Sequence, residues 1–146
     1  MGLDVGEVKI GIALSDESGT IAHGLKTLQR ESWHKDLAVL AETATEYEVG
    51  KIVVGNPINL DGTAGPQSHK VQDFVRRLGE VTTMPITLWD ERFSSVSAER
   101  VLIEGGMKRS KRKNLIDRLA AVIILQNYLD HQNSSRSGNA VNENEA

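Results

Sequence analysis

The first sixteen residues constrain this chain more than any other stretch. They read Met-Gly-Leu-Asp-Val-Gly-Glu-Val-Lys-Ile-Gly-Ile-Ala-Leu-Ser-Asp: a short apolar run reaches Asp4, Gly6 interrupts it, and Ile10, Ile12 and Leu14 then alternate with Gly11 and Ala13. Alternation at period two marks a strand whose two faces meet different surroundings, so the stretch predicts a strand, a tight turn and a second strand. It sets a carboxylate at the end of an interior strand, beside a glycine that lets backbone or ligand come close. If another part of the chain brings acidic groups to the same spot, this hairpin is half of a metal site.

Further along, Asp16 to Gly19 has turn composition, and Thr20 to Leu28 is a third strand completing an antiparallel meander. Ser32 caps a helix that carries Trp33, Leu37, Leu40, Ala41, Ala44 and Tyr47 at spacings of three and four and ends at Gly50. Lys51 to Gly55 is a continuous apolar run of the kind expected for a strand covered on both faces. A loop rich in turn residues, Gly55 to Gly62, leads into a helix from about Gln67 to Leu78, with Val71, Phe74, Val75 and Leu78 on one face. Pro85 to Trp89 forms the next strand, with Asp90, Glu91 and Arg92 directly at its end. Ser94 or Ser95 caps a helix bearing Val96, Val101, Leu102 and Ile103, which stops at Gly105 and Gly106. A basic loop follows, and Asn114 opens a last helix through about His131.

A meander feeding into strand–helix alternation predicts an α/β fold: a mixed sheet, antiparallel at first and then parallel, with helices on both faces, because parallel neighbours need crossover helices. With 146 residues, 39% of them hydrophobic, the chain suits one domain over residues 1–131, followed by a polar, disordered tail over 132–146. No apolar run is long enough to span a bilayer and no leader of the secretory type is evident, so the expectation is a cytoplasmic protein with no membrane partner. The absence of cysteine excludes disulfides and thiolate metal sites, and leaves a hard cation held by oxygen. The net charge of −3 hides a local concentration of positive charge: Lys108, Arg109, Lys111, Arg112 and Lys113, with Arg118 nearby. A patch of this kind, rather than net charge, guides a phosphate backbone.

Three acidic positions fall at element ends: Asp4, the Asp90–Glu91 pair, and Asp117 in the first turn of the last helix. Sites in open α/β sheets form outside the carboxyl ends of the parallel strands, where the first two can meet. Carboxylates of this kind, with substrate phosphate, hold one or two magnesium ions for in-line attack on a phosphodiester. Each also has a plainer reading. Asp4-x-Gly6 is a common turn, Asp117 suits the helix dipole, and Asp90-Glu91-Arg92 makes a solvated strand end with a surface ion pair.

The residues also carry a resemblance. Asp4-Val-Gly6 with Gly11 to Asp16, Val54 to Thr63, Trp89 to Ser95, and Lys111 to Asp117 running on through Ala120–Gln126 and Tyr128–Asp130 resemble the YqgF/RuvX family, with four motifs in order over residues 1 to about 131. The resemblance implies a ribonuclease H-like fold and a cytoplasmic nuclease acting in 5′-end maturation of pre-16S ribosomal RNA, in ribosome biogenesis. The alternative it carries is a Holliday junction resolvase in DNA recombination and repair, which would act as a homodimer because a symmetric junction needs two sites.

Carried over by motif, Asp4, Glu91 and Asp117 are the implied catalytic and metal-binding residues, with Asp90 a less favoured stand-in for Glu91. The implied cofactor is Mg2+ or Mn2+. Lys111, Arg112, Lys113, Asn59 and Arg92 are implied to contact substrate: pre-rRNA, within a ribosomal particle or free, or branched DNA. Two features depart from the family pattern: only three residues precede Asp4, and Glu7 and Val8 stand where a threonine and a basic residue are common. They motivate a further alternative, a nucleic-acid-binding module without catalysis.

Overall fold

The computed structural model describes residues 1–92, 106, 108, 111 and 119–135. Its strands and helices are β1 (Gly2–Val5), β2 (Lys9–Ser15), β3 (Ala22–Gln29), α1 (Trp33–Glu46), β4 (Ile52–Asn56), α2 (Pro66–Gly79) and β5 (Ile86–Asp90), and residues 119–135 form a last described helix, α3. The five strands lie in the order β3-β2-β1-β4-β5. β1, β2 and β3 pair antiparallel, whereas β4 runs parallel to both β1 and β5. This is the mixed sheet, antiparallel at first and then parallel, expected from the sequence.

Strand alternation divides the core in two. Leu3, Val5, Ile10, Ile12, Ile52 and Val54 pack with Leu37 and Leu40 of α1 and Val71, Phe74 and Leu78 of α2. Ala13 and Val53 face the other way, against Ala121, Ile124, Leu125, Tyr128 and Leu129 of α3. The helices therefore cover both faces, as predicted, and β4 is buried along its whole length. β1, β4 and β5, being parallel, end on the same side of the sheet, and the site is built there.

Local signals account for the helix ends. The Ser32 side chain accepts from the Lys35 N–H, capping α1, and Asp36 in the first turn is buried, accepting from the Glu31 N–H and pairing with Arg30. α2 begins with proline, whose fixed φ suits the first turn. α3 continues to residue 135, beyond the end predicted at His131, and the Asn133 side chain donates to the Gly19 carbonyl at 3.2 Å. Residues 132–135 are thus helix rather than tail. The predicted helix through Val96–Ile103, most of the basic loop, and residues 136–146 lie outside the described residues.

Candidate active site

Asp4 is the third residue of β1 and pairs in register with Gly11 of β2. A Cβ at Gly11 would lie 3.4 Å from Ala121 Cβ and 3.7 Å from Asp4 Cβ, so Asp4 occupies the α3 face of the sheet. On β5, Ile86 and Leu88 pack into the α1/α2 core while Trp89 packs with α3, meeting Tyr128 edge-on at 5.6 Å. Alternation then carries Glu91 to the face that Asp4 occupies and Asp90 to the opposite one.

Gly55 of β4, the strand between β1 and β5, makes room for this. A Cβ there would sit 2.7 Å from Glu91 Oε1 and 2.5 Å from Ile124 Cδ1, so any side chain would displace either the carboxylate or α3. The Glu91 N–H donates to the Asn56 carbonyl at 3.2 Å, holding the residue against the end of β4. Burial, first, and then the charges of Asp4 and Asp90 push the Glu91 carboxyl up to about 7. The arrangement concentrates negative charge where water cannot fully screen it.

A divalent cation offsets such repulsion, and the donors on hand are the hard oxygens that magnesium or manganese prefers. The pair therefore fits a hard cation, with Asp4 and Glu91 as the groups that would hold it. Among the described residues no cluster of three metal-ligating side chains forms. Asp117, the third ligand implied by sequence, lies outside the described residues.

The other sequence-predicted residues divide. Asp90 faces away and is committed to Arg92, which donates through Nε to its carboxylate at 2.8 Å while the Arg92 N–H reaches the other oxygen at 2.9 Å. That bonding, chiefly from the Arg92 side chain, holds the Asp90 carboxyl below its usual range. Asp61 of the loop after β4 also interacts with the Arg92 charge, so Arg92 is drawn into bracing the loop. Asn59 of that loop donates to Thr63 Oγ1 at 3.1 Å. Lys111 is exposed, whereas Arg112 and Lys113 lie outside the described residues. Glu7 forms an ion pair with Lys70 of α2.

Sequence reasoning gave no role to Asn56 and Ser68. Ser68 is fully buried and donates to Asn56 Oδ1 at 2.6 Å, and Gln72 donates to Ser68 Oγ at 3.1 Å. The Asn56 carbonyl accepts from both Ile58 and Glu91, so this residue ties the acidic segment, the loop and α2 together. A polar residue closing an otherwise apolar buried strand was the one signal available.

No helix among the described residues is long and apolar enough to cross a membrane. A family model described as RuvX, Holliday junction resolvase, matches residues 1–131. The chain is 57% identical over 133 residues to a Thermoanaerobacter pseudethanolicus protein named "Putative pre-16S rRNA nuclease", covering 90% of this chain and 96% of that one. A Syntrophomonas wolfei protein of the same name is 53% identical over 130 residues, covering 89% and 92% respectively. Among solved structures, fowlpox virus resolvase with its Holliday junction DNA aligns over 90% of this chain and 96% of that one, at 11% identity and a TM-score of 0.42, too loose a likeness to add weight.

Proposed function

This chain belongs to the RuvX family, and from that premise we propose that it is a metal-dependent nuclease cutting the phosphodiester backbone of pre-16S ribosomal RNA during 5′-end maturation. The observation that carries the reading is the convergence of Asp4 and Glu91 on one face, at the shared end of the parallel strands, with Gly55 clearing the space between. The relatives' name supplies the substrate.

In this reading Asp4 and Glu91, joined by Asp117, provide the oxygen donors. A magnesium or manganese ion held there would supply positive charge for activating water and stabilising a departing oxygen. The protein's own part is placement. The β1–β4–β5 ladder fixes the carboxylates, and α3 closes one side of the site against bulk water. Lys111, with Arg112 and Lys113, draws in the phosphate backbone, which makes binding weaken with salt. We place the activity in the cytoplasm, on free precursor or on a ribosomal particle.

The test uses a pre-16S 5′ leader RNA and a four-way DNA junction, each with and without magnesium. Metal-dependent cleavage of the RNA, lost in Asp4→Asn and Glu91→Gln while both variants stay folded, is the expected result. Unchanged turnover in Asp4→Asn would sink the assignment of the site. Cleavage of the junction alone, by a dimer, would move the substrate to branched DNA, in line with the family's description. Binding of either without cleavage would leave a non-catalytic module.

A further inference from the structure

Leu60, 84% exposed, and Val8, 71% exposed, are the two most exposed large apolar side chains among the described residues, and both lie at the carboxylate end of the sheet. Val8 sits in the turn between β1, which carries Asp4, and β2. Leu60 sits in the loop between β4 and α2, whose Gly62 lies against Arg92, the residue following Glu91: a Cβ there would be 3.5 Å from Arg92 Nη1.

Neither side chain belongs to either core cluster, yet both are held on braced backbone. In the loop, Asn59 N–H donates to the Thr63 carbonyl at 2.9 Å and Gly62 N–H to the Asn59 carbonyl at 2.8 Å. Asp61 accepts from the Thr63 hydroxyl at 2.6 Å, and Gly62 takes a φ of 88°, which favours glycine. The Val8 turn is closed by Gly6 N–H donating to the Lys9 carbonyl at 2.9 Å. Arg30 then ties it from outside, through its own N–H to the Val8 carbonyl at 2.9 Å and through Nη1 to the Gly6 carbonyl at 3.0 Å.

A single exposed aliphatic residue is ordinary. Two on self-braced turns, beside a site that handles a phosphodiester, are apolar contacts whose ordering cost is met before substrate arrives. The groups next to a scissile phosphate that gain from leaving water are the nucleobases, and unpaired bases offer faces and edges on which side chains can pack. We propose that Leu60 and Val8 are substrate-positioning residues that pack against unpaired nucleobases next to the scissile phosphate. The inference rests on the nuclease reading and adds to it a preference for locally unpaired substrate.

The test compares the wild type, the L60S/V8S variant, the L60M/V8I variant, and V81S as a control at a less exposed valine after α2, 48% exposed. Each is measured on the pre-16S leader RNA carrying 2-aminopurine in its unpaired segment. Binding is followed without metal by the change in 2-aminopurine fluorescence, and cleavage with magnesium. Partial burial of the two aliphatic side chains against bases predicts that L60S/V8S raises Kd and KM about tenfold, leaves kcat, the thermal midpoint and the salt dependence of binding unchanged, and loses the fluorescence change. L60M/V8I and V81S should behave as wild type. Equal Kd and equal fluorescence change in L60S/V8S and wild type would overturn the inference while the nuclease reading stands. A steeper or shallower salt dependence in L60S/V8S would overturn it in favour of a backbone contact. Failure of the wild type to bind the RNA at all would overturn both.

Discussion

Replacing Glu91 with Gln should make the metal-free protein more stable near neutral pH. The carboxyl is pushed from 4.5 to about 7, chiefly by burial and then by the charge on Asp4. A carboxyl whose pKa is raised by folding contributes most below its unfolded value; the contribution is lost as pH climbs from 4.5 through about 7. At about 1.4 kcal/mol per pH unit the full loss is about 3 kcal/mol, reduced to about 2 kcal/mol where water reaches the exposed side of the group. Glutamine keeps the shape and carries no charge at any pH. Thermal unfolding of wild type and Glu91→Gln in EDTA should therefore coincide at pH 4 and diverge by pH 8, the variant melting roughly 5 to 10 °C higher. Magnesium at pH 8 should narrow the gap by stabilising the wild type alone. Equal midpoints at pH 8 in EDTA would refute the reasoning, since Glu91 would then bear no penalty from burial or from Asp4.

Three further outcomes follow from the same geometry. Gly55→Ala should cost about 1 to 3 kcal/mol, because the added methyl meets Ile124 and the Glu91 carboxylate; urea unfolding checks the cost, and RNA cleavage should fall with it. Ser68→Ala removes the hydroxyl that donates to Asn56 Oδ1 in that buried pair, and should cost about 1 to 3 kcal/mol in the same unfolding measurement. Arg92→Gln should let the Asp90 carboxyl return toward its usual value, read by NMR titration. Because Arg92 depresses that value, its stabilising effect is present above the ordinary carboxylate range and lost as pH falls through the folded one, so wild type and variant should converge in acid.

Much of this protein is legible along the chain. The alternation of Ile10, Ile12 and Leu14, the run from Ile52 to Val54 and the helical spacing of Val71, Phe74 and Leu78 are local patterns, and they specify β2, β4 and α2 within a residue or two. Asp4 and the Asp90–Glu91 pair are legible as carboxylates at strand ends, and the motif order points to the family. Choosing between Asp90 and Glu91 is a different matter. Alternation says that neighbours on a strand face opposite ways, but it does not say which face α3 covers or where Asp4 points.

That choice depends on contacts between residues far apart in sequence. Gly55 is a strand glycine until Ile124 and Glu91 are found against it, Glu7 is a stray charge until Lys70 meets it, and Asn56 is one polar residue until Ser68 closes over it. By itself the sequence determined the elements, their order and the acidic candidates, because propensity and periodicity act over a few residues. Only the tertiary structure decided that Glu91 shares a face with Asp4 and that Gly55 and Ile124 close around it, because burial and charge act through space, between strands that the crossovers bring side by side.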